Sequence, residues 1–344
     1  MPNSLAPMLN RSLAVLAFLA VSACSDDVVS PASLRSEGTM TVVATNSFQF
    51  VSLADSAVVT PTPSPTASAA WDLAFFSTNV TVNGGAAGPG GVSAACLCQN
   101  ASATNEQVLA MTPANQFTAF DTVRAVPAGL VFTSDVLTPA ISGWFTGAGA
   151  SAVADPSRTW LVRLSDSASF AAVRVTAMTG ATAAHAGSVT LEYRLQTSAT
   201  GALGAAQQIT VNAGAAGGTR VDLNTGTTTT DDAAWDLQVQ GFTIRVNGGI
   251  SGNGKGGAAT TATAFANLTT AVTGAAAYRI DTYTGVFGTQ RYFRYNIAGD
   301  FRINPTFDVY FLRRGADTYK VQIIDYYSAT GAARHITFRW AKLD

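Results

Sequence analysis

The chain has 344 residues, 47% of them hydrophobic and only 12% charged, and its formal net charge is -1 at pH 7. Twenty Lys and Arg stand against 21 Asp and Glu, and the nearest thing to a basic cluster is the pair Arg313-Arg314, which excludes a nucleic-acid-binding surface. Ala, Gly, Thr, Val and aromatics dominate what remains, a composition suited to an exported β-rich protein with enough length for two cores of ordinary size.

In chain order the first element is a leader. Arg11 supplies its positive side chain, residues 13–20 form an apolar run too short to span a bilayer, and Val21-Ser22-Ala23 brings small residues up to Cys24. Residues 1–24 resemble a bacterial lipoprotein signal. That resemblance implies that Cys24 becomes the lipid-modified first residue of the mature chain and its membrane anchor; an ordinary signal peptide cut near Ala23 is the alternative. Ser25-Asp26-Asp27 follow, with no Asp directly beside the Cys, which by analogy favours the outer membrane, and the acidic pair resembles tags for the cell surface. Residues 25–38 read as a polar tether.

Strand signals then dominate, and no long amphipathic helix appears. Residues 41–53 are strand-like, Pro61, Pro63 and Pro65 stiffen the next connection, and Trp71-Asp72-Leu73 leads a strand into Asn83-Gly84-Gly85, where glycine permits a left-handed turn. Residues 160–164, 170–178 and 189–195 close this half as three antiparallel strands. The pattern then restarts. Residues 208–223 are strand-like, Trp235-Asp236-Leu237 leads into Asn247-Gly248-Gly249, and the closing strands lie at 307–313, 319–327 and 335–340. Trp to Asn spans 12 positions in both copies, and the block recurs 164 positions later. So long a period predicts a doubled domain rather than a solenoid. The expected architecture is all-β, with little helix, in two tandem antiparallel domains at 39–200 and 206–344.

The second half carries Trp235-Asp236-Leu237, Arg245 through Gly249, the glycine loop Ser251-Gly252 to Ala258, Val309-Tyr310-Phe311, Arg314 through Asp317, Tyr319-Lys320-Val321, Asp325-Tyr326-Tyr327 and Ile336-Thr337-Phe338. Through these residues it resembles the HmuY family of haem-binding bacterial lipoproteins. The first half carries a weaker version through Trp71-Asp72-Leu73, Asn83-Gly84-Gly85, Gly88 to Gly91, Trp144, Val173 and Val189-Thr190-Leu191. The resemblance implies a nearly all-β fold that grips haem through two histidines on separate arms, and a TonB-dependent receptor as partner. The arms would be residues 101–157 and 260–304, and neither stretch contains a histidine.

His185 and His335 are the only histidines, at roughly equivalent places, and Met111 lies inside the first arm region; these three are the residues that a search for haem axial ligands singles out. Surface turns and core filler are the plainer readings of all three. Cys96 and Cys98 read as a local disulfide or inert thiols, since no further soft ligand lies nearby. Neither histidine sits in a nucleophile motif, Asp231-Asp232 reads as a solvated turn, and no helix follows either glycine run to make a phosphate loop, so binding rather than catalysis is expected. Asp72 and Asp236 read as partners for nearby backbone. Two functions remain open. Capture of haem or a porphyrin expects a concave pocket lined by Trp144, Tyr283, Phe287, Tyr292, Phe293 and Tyr295. A surface structural or adhesion lipoprotein without a ligand expects those rings packed inside a filled core.

Overall fold

Short runs of β-branched and aromatic residues, broken by Gly, Asn and Thr-Asp turns, give 24 strands, three short α-helices and four single-turn 3-10 helices across residues 37–343, which the computed structural model describes. The leader, Cys24 and most of the tether lie outside the described residues. The first half supplies β1 (Glu37–Val43), β2 (Gln49–Ser52), β3 (Ala57–Val59), β4 (Leu73–Phe76), β5 (Asn79–Val82) and β6 (Ser93–Cys96). After helices α1 (Asn105–Leu109) and α2 (Phe117–Asp121) come β7 (Val136–Thr138), the small ribbon β8 (Phe145–Thr146) and β9 (Val153–Ala154), then β10 (Thr159–Arg163), β11 (Phe170–Thr179) and β12 (Ser188–Gln196). The second half runs through β13 (Ala206–Asn212), β14 (Thr219–Asp222), β15 (Thr227–Thr228), β16 (Leu237–Gln240), β17 (Thr243–Val246), β18 (Gly257–Thr261) and β19 (Thr282–Thr284). Helix α3 (Val286–Thr289), β20 (Phe293–Tyr295), β21 (Ile303–Pro305), β22 (Val309–Arg314), β23 (Asp317–Tyr327) and β24 (Ala333–Leu343) complete it. All pairings between these strands are antiparallel, so the fold is all-β.

Two five-stranded sheets carry the architecture, in the orders β1-β24-β23-β22-β6 and β13-β12-β11-β10-β18, and each has a four-stranded companion, β3-β2-β4-β5 and β15-β14-β16-β17. The division at 39–200 and 206–344 does not follow these sheets. Closing strands β10 to β12 pair with β13 and β18 of the second half, while β22 to β24 pair with β1 and β6 of the first. Cores follow the sheets. One gathers Val51, Leu73, Phe75 and Val82 with Tyr310, Val321 and Phe338; the other gathers Trp160, Val173 and Leu191 with Val221, Leu237 and Val246. The physical reason is that strand pairing is set by the apolar face and not by position in the chain, and the two halves present the same face. Even their irregularities match, since β11 carries a bulge between Val175 and Ala177 and β23 one between Ile323 and Asp325.

The crossover is a two-stranded ribbon. β7 and β19 pair as Thr282 with Thr138, Tyr283 with Leu137 and Thr284 with Val136, so the segment entering one sheet system runs against the segment leaving it.

The first part of the expected first arm, residues 101–126, lies against the first sheet. Phe120 packs on Val309, Phe311 and Leu343. Lys320, fully buried, donates to the carbonyls of Phe120 (2.8 Å), Asp121 (3.2 Å) and Val123 (2.9 Å), with its ammonium 4.3 Å from the Phe120 ring. Arg339 donates to the carbonyls of Pro113 and Gln116, which ties the start of α2 to the same sheet. Helix α1 begins with a capping box between Thr104 and Gln107.

Candidate functional site

The Trp-Asp and Asn-Gly-Gly motifs build one hydrogen-bonded frame twice. Trp71 and Trp235 are both fully buried. Asp72 accepts from Leu53 N at 2.7 Å as Asp236 does from Leu223 N at 2.9 Å, so both carboxylates serve backbone as their sequence position suggests. Asn83 Nδ2 donates to Trp71 O and Asn247 Nδ2 to Trp235 O, while their Oδ1 atoms accept from Gly90 N and Gly254 N. The glycine loops therefore wrap a buried amide. A Cβ on Gly88 would come within 2.1 Å of Asn83 Oδ1, and one on Gly252 within 2.1 Å of Asn247 Oδ1, which explains glycine at these two positions.

The frames differ in what meets the second carboxylate oxygen. Ser165 N donates to Asp236, whereas Arg314 Nη1 reaches Asp72 at 2.8 Å. The basic pair Arg313-Arg314 is engaged within the protein: Arg314 is a partner of Asp72, and Arg313 stacks 3.9 Å over the Phe132 ring.

A second pair of acids guards the crossover. Asp135 Oδ2 accepts from Val82 N at 2.9 Å, and Asp281 Oδ2 from Val246 N at 3.0 Å. Burial pushes both carboxyls up, that of Asp135 to about 7. The folded chain then keeps a proton on Asp135 that the unfolded chain releases near pH 4. Stability from this group is full below about pH 4 and is lost as pH rises to 7, by about 4 kcal/mol in the limit. Burial also raises Asp236, to about 6, which steepens the same slope. Asp135→Asn keeps the acceptor for Val82 N and should flatten the decline in urea-unfolding stability between pH 4.5 and 7.5. A variant as pH-dependent as the parent would contradict this assignment.

Between the two sheet systems lies a cleft of about 630 Å³. One wall is Phe48, Phe50 and Phe76, with the Phe48 and Phe76 rings 5.3 Å apart and Phe50 edge-on to Trp71 at 5.2 Å. The opposite wall is the second glycine loop, residues 248–256, with Ile280 and Tyr278. Two cations border it. Arg163 Nε donates to Lys255 O at 2.9 Å and its guanidinium lies 5.4 Å from the centre of the Tyr278 ring, and Lys255 is exposed; among the described residues neither side chain has an ion pair. Such a site suits a flat, mainly apolar ligand bearing negative groups.

The aromatic pocket expected from the sequence is not assembled. Trp144 packs in the core of the second sheet system, Phe287 and Tyr292 in that of the first, and Tyr283 in a cluster with Trp71 and Ile250. Phe293 packs at the edge of the first core, and Tyr295 is exposed on β20. Aromatic side chains answer to burial before binding, and here they fill cores. The three candidate iron ligands are equally scattered. His185 Nδ1 accepts from Gly187 N in the loop before β12, and His335 lies on β24 with Nδ1 3.1 Å from Ala333 O. Met111 borders a polar depression with Gln107 and Asn115. Cys96 and Cys98 form a disulfide with each other. Among the described residues no cluster of three His, Cys, Asp or Glu could hold a metal ion.

Phe48, Phe50 and Phe76 are the residues that sequence reasoning missed. Their signal is a difference between the copies. Phe50 pairs with Ala74 as Arg220 pairs with Gln238, so Gly218, Arg220 and Gln240 take the places of the three rings in the second copy.

Residues 44–193 match the model of the HmuY protein family. Over that stretch the chain resembles the HmuY family. In this fold the matched stretch contributes β2 to β6 to the first sheet system and β10 to β12 to the second. Among solved structures the chain is similar to a candidate lipoprotein of Bacteroides fragilis, with 9% identity, 89% of each chain covered and a TM-score of 0.33. It is also similar to a candidate HmuY-like heme-binding protein of Bacteroides vulgatus, with 12% identity, 89% of this chain and 91% of that one covered, and a TM-score of 0.28. The comparison with curated proteins gives no match. Among the described residues no helix is long and apolar enough to cross a membrane.

Proposed function

We propose that this HmuY-like chain is an exported binding protein, anchored to the outer membrane through Cys24, that captures a porphyrin-type ligand and passes it to a TonB-dependent receptor. The observation that carries the reading is the 630 Å³ cleft, whose phenylalanine wall, with Arg163 and Lys255 that have no ion pair among the described residues, complements a flat macrocycle with carboxylate arms.

The cleft gives haem iron no unengaged axial ligand. Among its described lining residues, Tyr278 is the one of a type that ordinarily serves, and its hydroxyl donates to Ala271 O at 2.6 Å and accepts from Thr273 N at 3.2 Å. Holding power would come from ring contact and charge, so the ligand class is the porphyrin ring with or without its metal. Titration of mature protein with haemin should quench tryptophan emission stoichiometrically, because Trp71 lies one ring behind the wall, and Phe76→Ala should weaken binding about tenfold, the cost of one buried aromatic contact. Absence of quenching would end the proposal.

One observation favours a second reading, a structural or adhesion module. Trp144, Tyr283, Phe287 and Tyr292 are packed as that reading requires. It expects no saturable porphyrin binding at all.

A further inference from the structure

The first copy's glycine loop faces the second copy's β14 and β16 across a second cleft, of about 450 Å³, in the place that corresponds to the aromatic one. Its chemistry is opposite. Where the first cleft has Phe50 and Phe76, this one has Arg220 and Gln240, and Arg245 of β17 lines it as well.

Arg245 is the telling residue. It is half-buried, its Nε is shut off from solvent without an acceptor, and among the described residues its guanidinium makes no hydrogen bond or ion pair. Arginine left in this state forfeits charge-assisted bonds that its planar fork is shaped to make. Asp281, whose charge it feels, is already engaged by Ala140 N, Val246 N and Ser251 Oγ. Arg220, by contrast, is fixed: Nη1 lies 2.6 Å from Asp232, and the guanidinium lies 5.3 Å from the centre of the Trp235 ring. Gln238 donates to Gly217 O, which leaves Gln240 as an amide without a side-chain partner among the described residues.

We propose that this cleft is a second binding site, for an oxyanion group (carboxylate, phosphate or sulfate) carried on a small polar molecule, with Arg245 as its principal anchor and Arg220 and Gln240 as supporting contacts. The protein then holds two unlike ligands at corresponding places, an apolar ring in one cleft and a compact anion in the other. Copies with the same frame have diverged at the residues facing the clefts, and the divergence leaves a cation that nothing in the described protein neutralises by contact.

The test is a thermal-shift and calorimetric titration of the whole mature chain with inorganic phosphate, sulfate, citrate and glucose 6-phosphate as separate probes. At least one probe should raise the midpoint in a saturable way. Arg245→Gln should weaken it tenfold or more, whereas Arg163→Gln, in the other cleft, should leave it unchanged. Which probe binds tightest distinguishes carboxylate, phosphate, sulfate and sugar-borne sources. Gln240→Glu, which places a negative charge in the cleft and leaves Arg245 intact, should weaken the same probe and guards against a folding defect in the first variant. No saturable shift with any probe would overturn the proposal, as would equal binding by parent, Arg245→Gln and Gln240→Glu.

Discussion

Cysteines placed at Thr41 and Thr337 will join in a disulfide, as will cysteines at Thr190 and Thr210, while cysteines at Thr41 and Thr190 will not. Thr41 faces Thr337 across β1 and β24 with hydroxyl oxygens 2.8 Å apart, and Thr190 faces Thr210 across β12 and β13 at 2.9 Å. Directly opposed strand residues approach at the distances a disulfide needs. Thr190 and Thr337 hold corresponding places on the last closing strand of each half, so the first and third pairs differ only in which half's strand β1 has chosen. A Thr41–Thr190 cross-link in the monomer, read by mobility on a non-reducing gel and by peptide mass, would mean that each half closes its own sheet. The first cross-link should also raise the thermal midpoint, because it ties residues 296 positions apart in sequence.

Asp72→Ala should cost about 3 kcal/mol of unfolding free energy, the order of one buried donor left unpaired together with one charge-assisted bond lost. Two groups lose their partner at once. Leu53 N is left without an acceptor in a fully buried strand end, and Arg314 keeps only its bond to Ala69 O. Because Asp72 belongs to the first half and Arg314 to the last hairpin, the same change loosens the closure of the first sheet system. Arg314→Met should cost less, since its side chain is a third exposed and Asp72 would retain Leu53 N. Chemical denaturation of both variants measures this, and an Asp72→Ala loss below 1 kcal/mol would contradict it.

Much of the frame could be read from the residues in order. Trp71-Asp72 and Asn83-Gly84-Gly85 form contacts within their own loop and repeat as a block, so spacing alone locates them. Strand exchange could not be read, because β12 presents to β1 and to β13 the same alternation of apolar and polar residues and the sequence does not say which edge is nearer. The cleft was hidden for a related reason. Phe48 and Phe76 lie far in sequence from Arg163, Lys255 and Ile280, and the contacts that bring them together, the β7–β19 ribbon and the bond from Asn253 Nδ2 to Pro63 O among them, join residues more than a hundred positions apart. Trp144 and Tyr292 misled because a large ring in a Gly/Thr-rich stretch looks the same whether it lines a pocket or fills a core.

The most direct test of a cleft that holds its ligand by rings and charge compares iron-containing and metal-free forms of one porphyrin. Calorimetric titration of the mature chain with haemin and with protoporphyrin should return affinities within about threefold of each other, a difference under 1 kcal/mol, and Phe48→Ala should weaken both alike. Haemin binding a hundredfold tighter, with the visible spectrum of a histidine-ligated iron, would contradict the account and return His185 or His335 to the site.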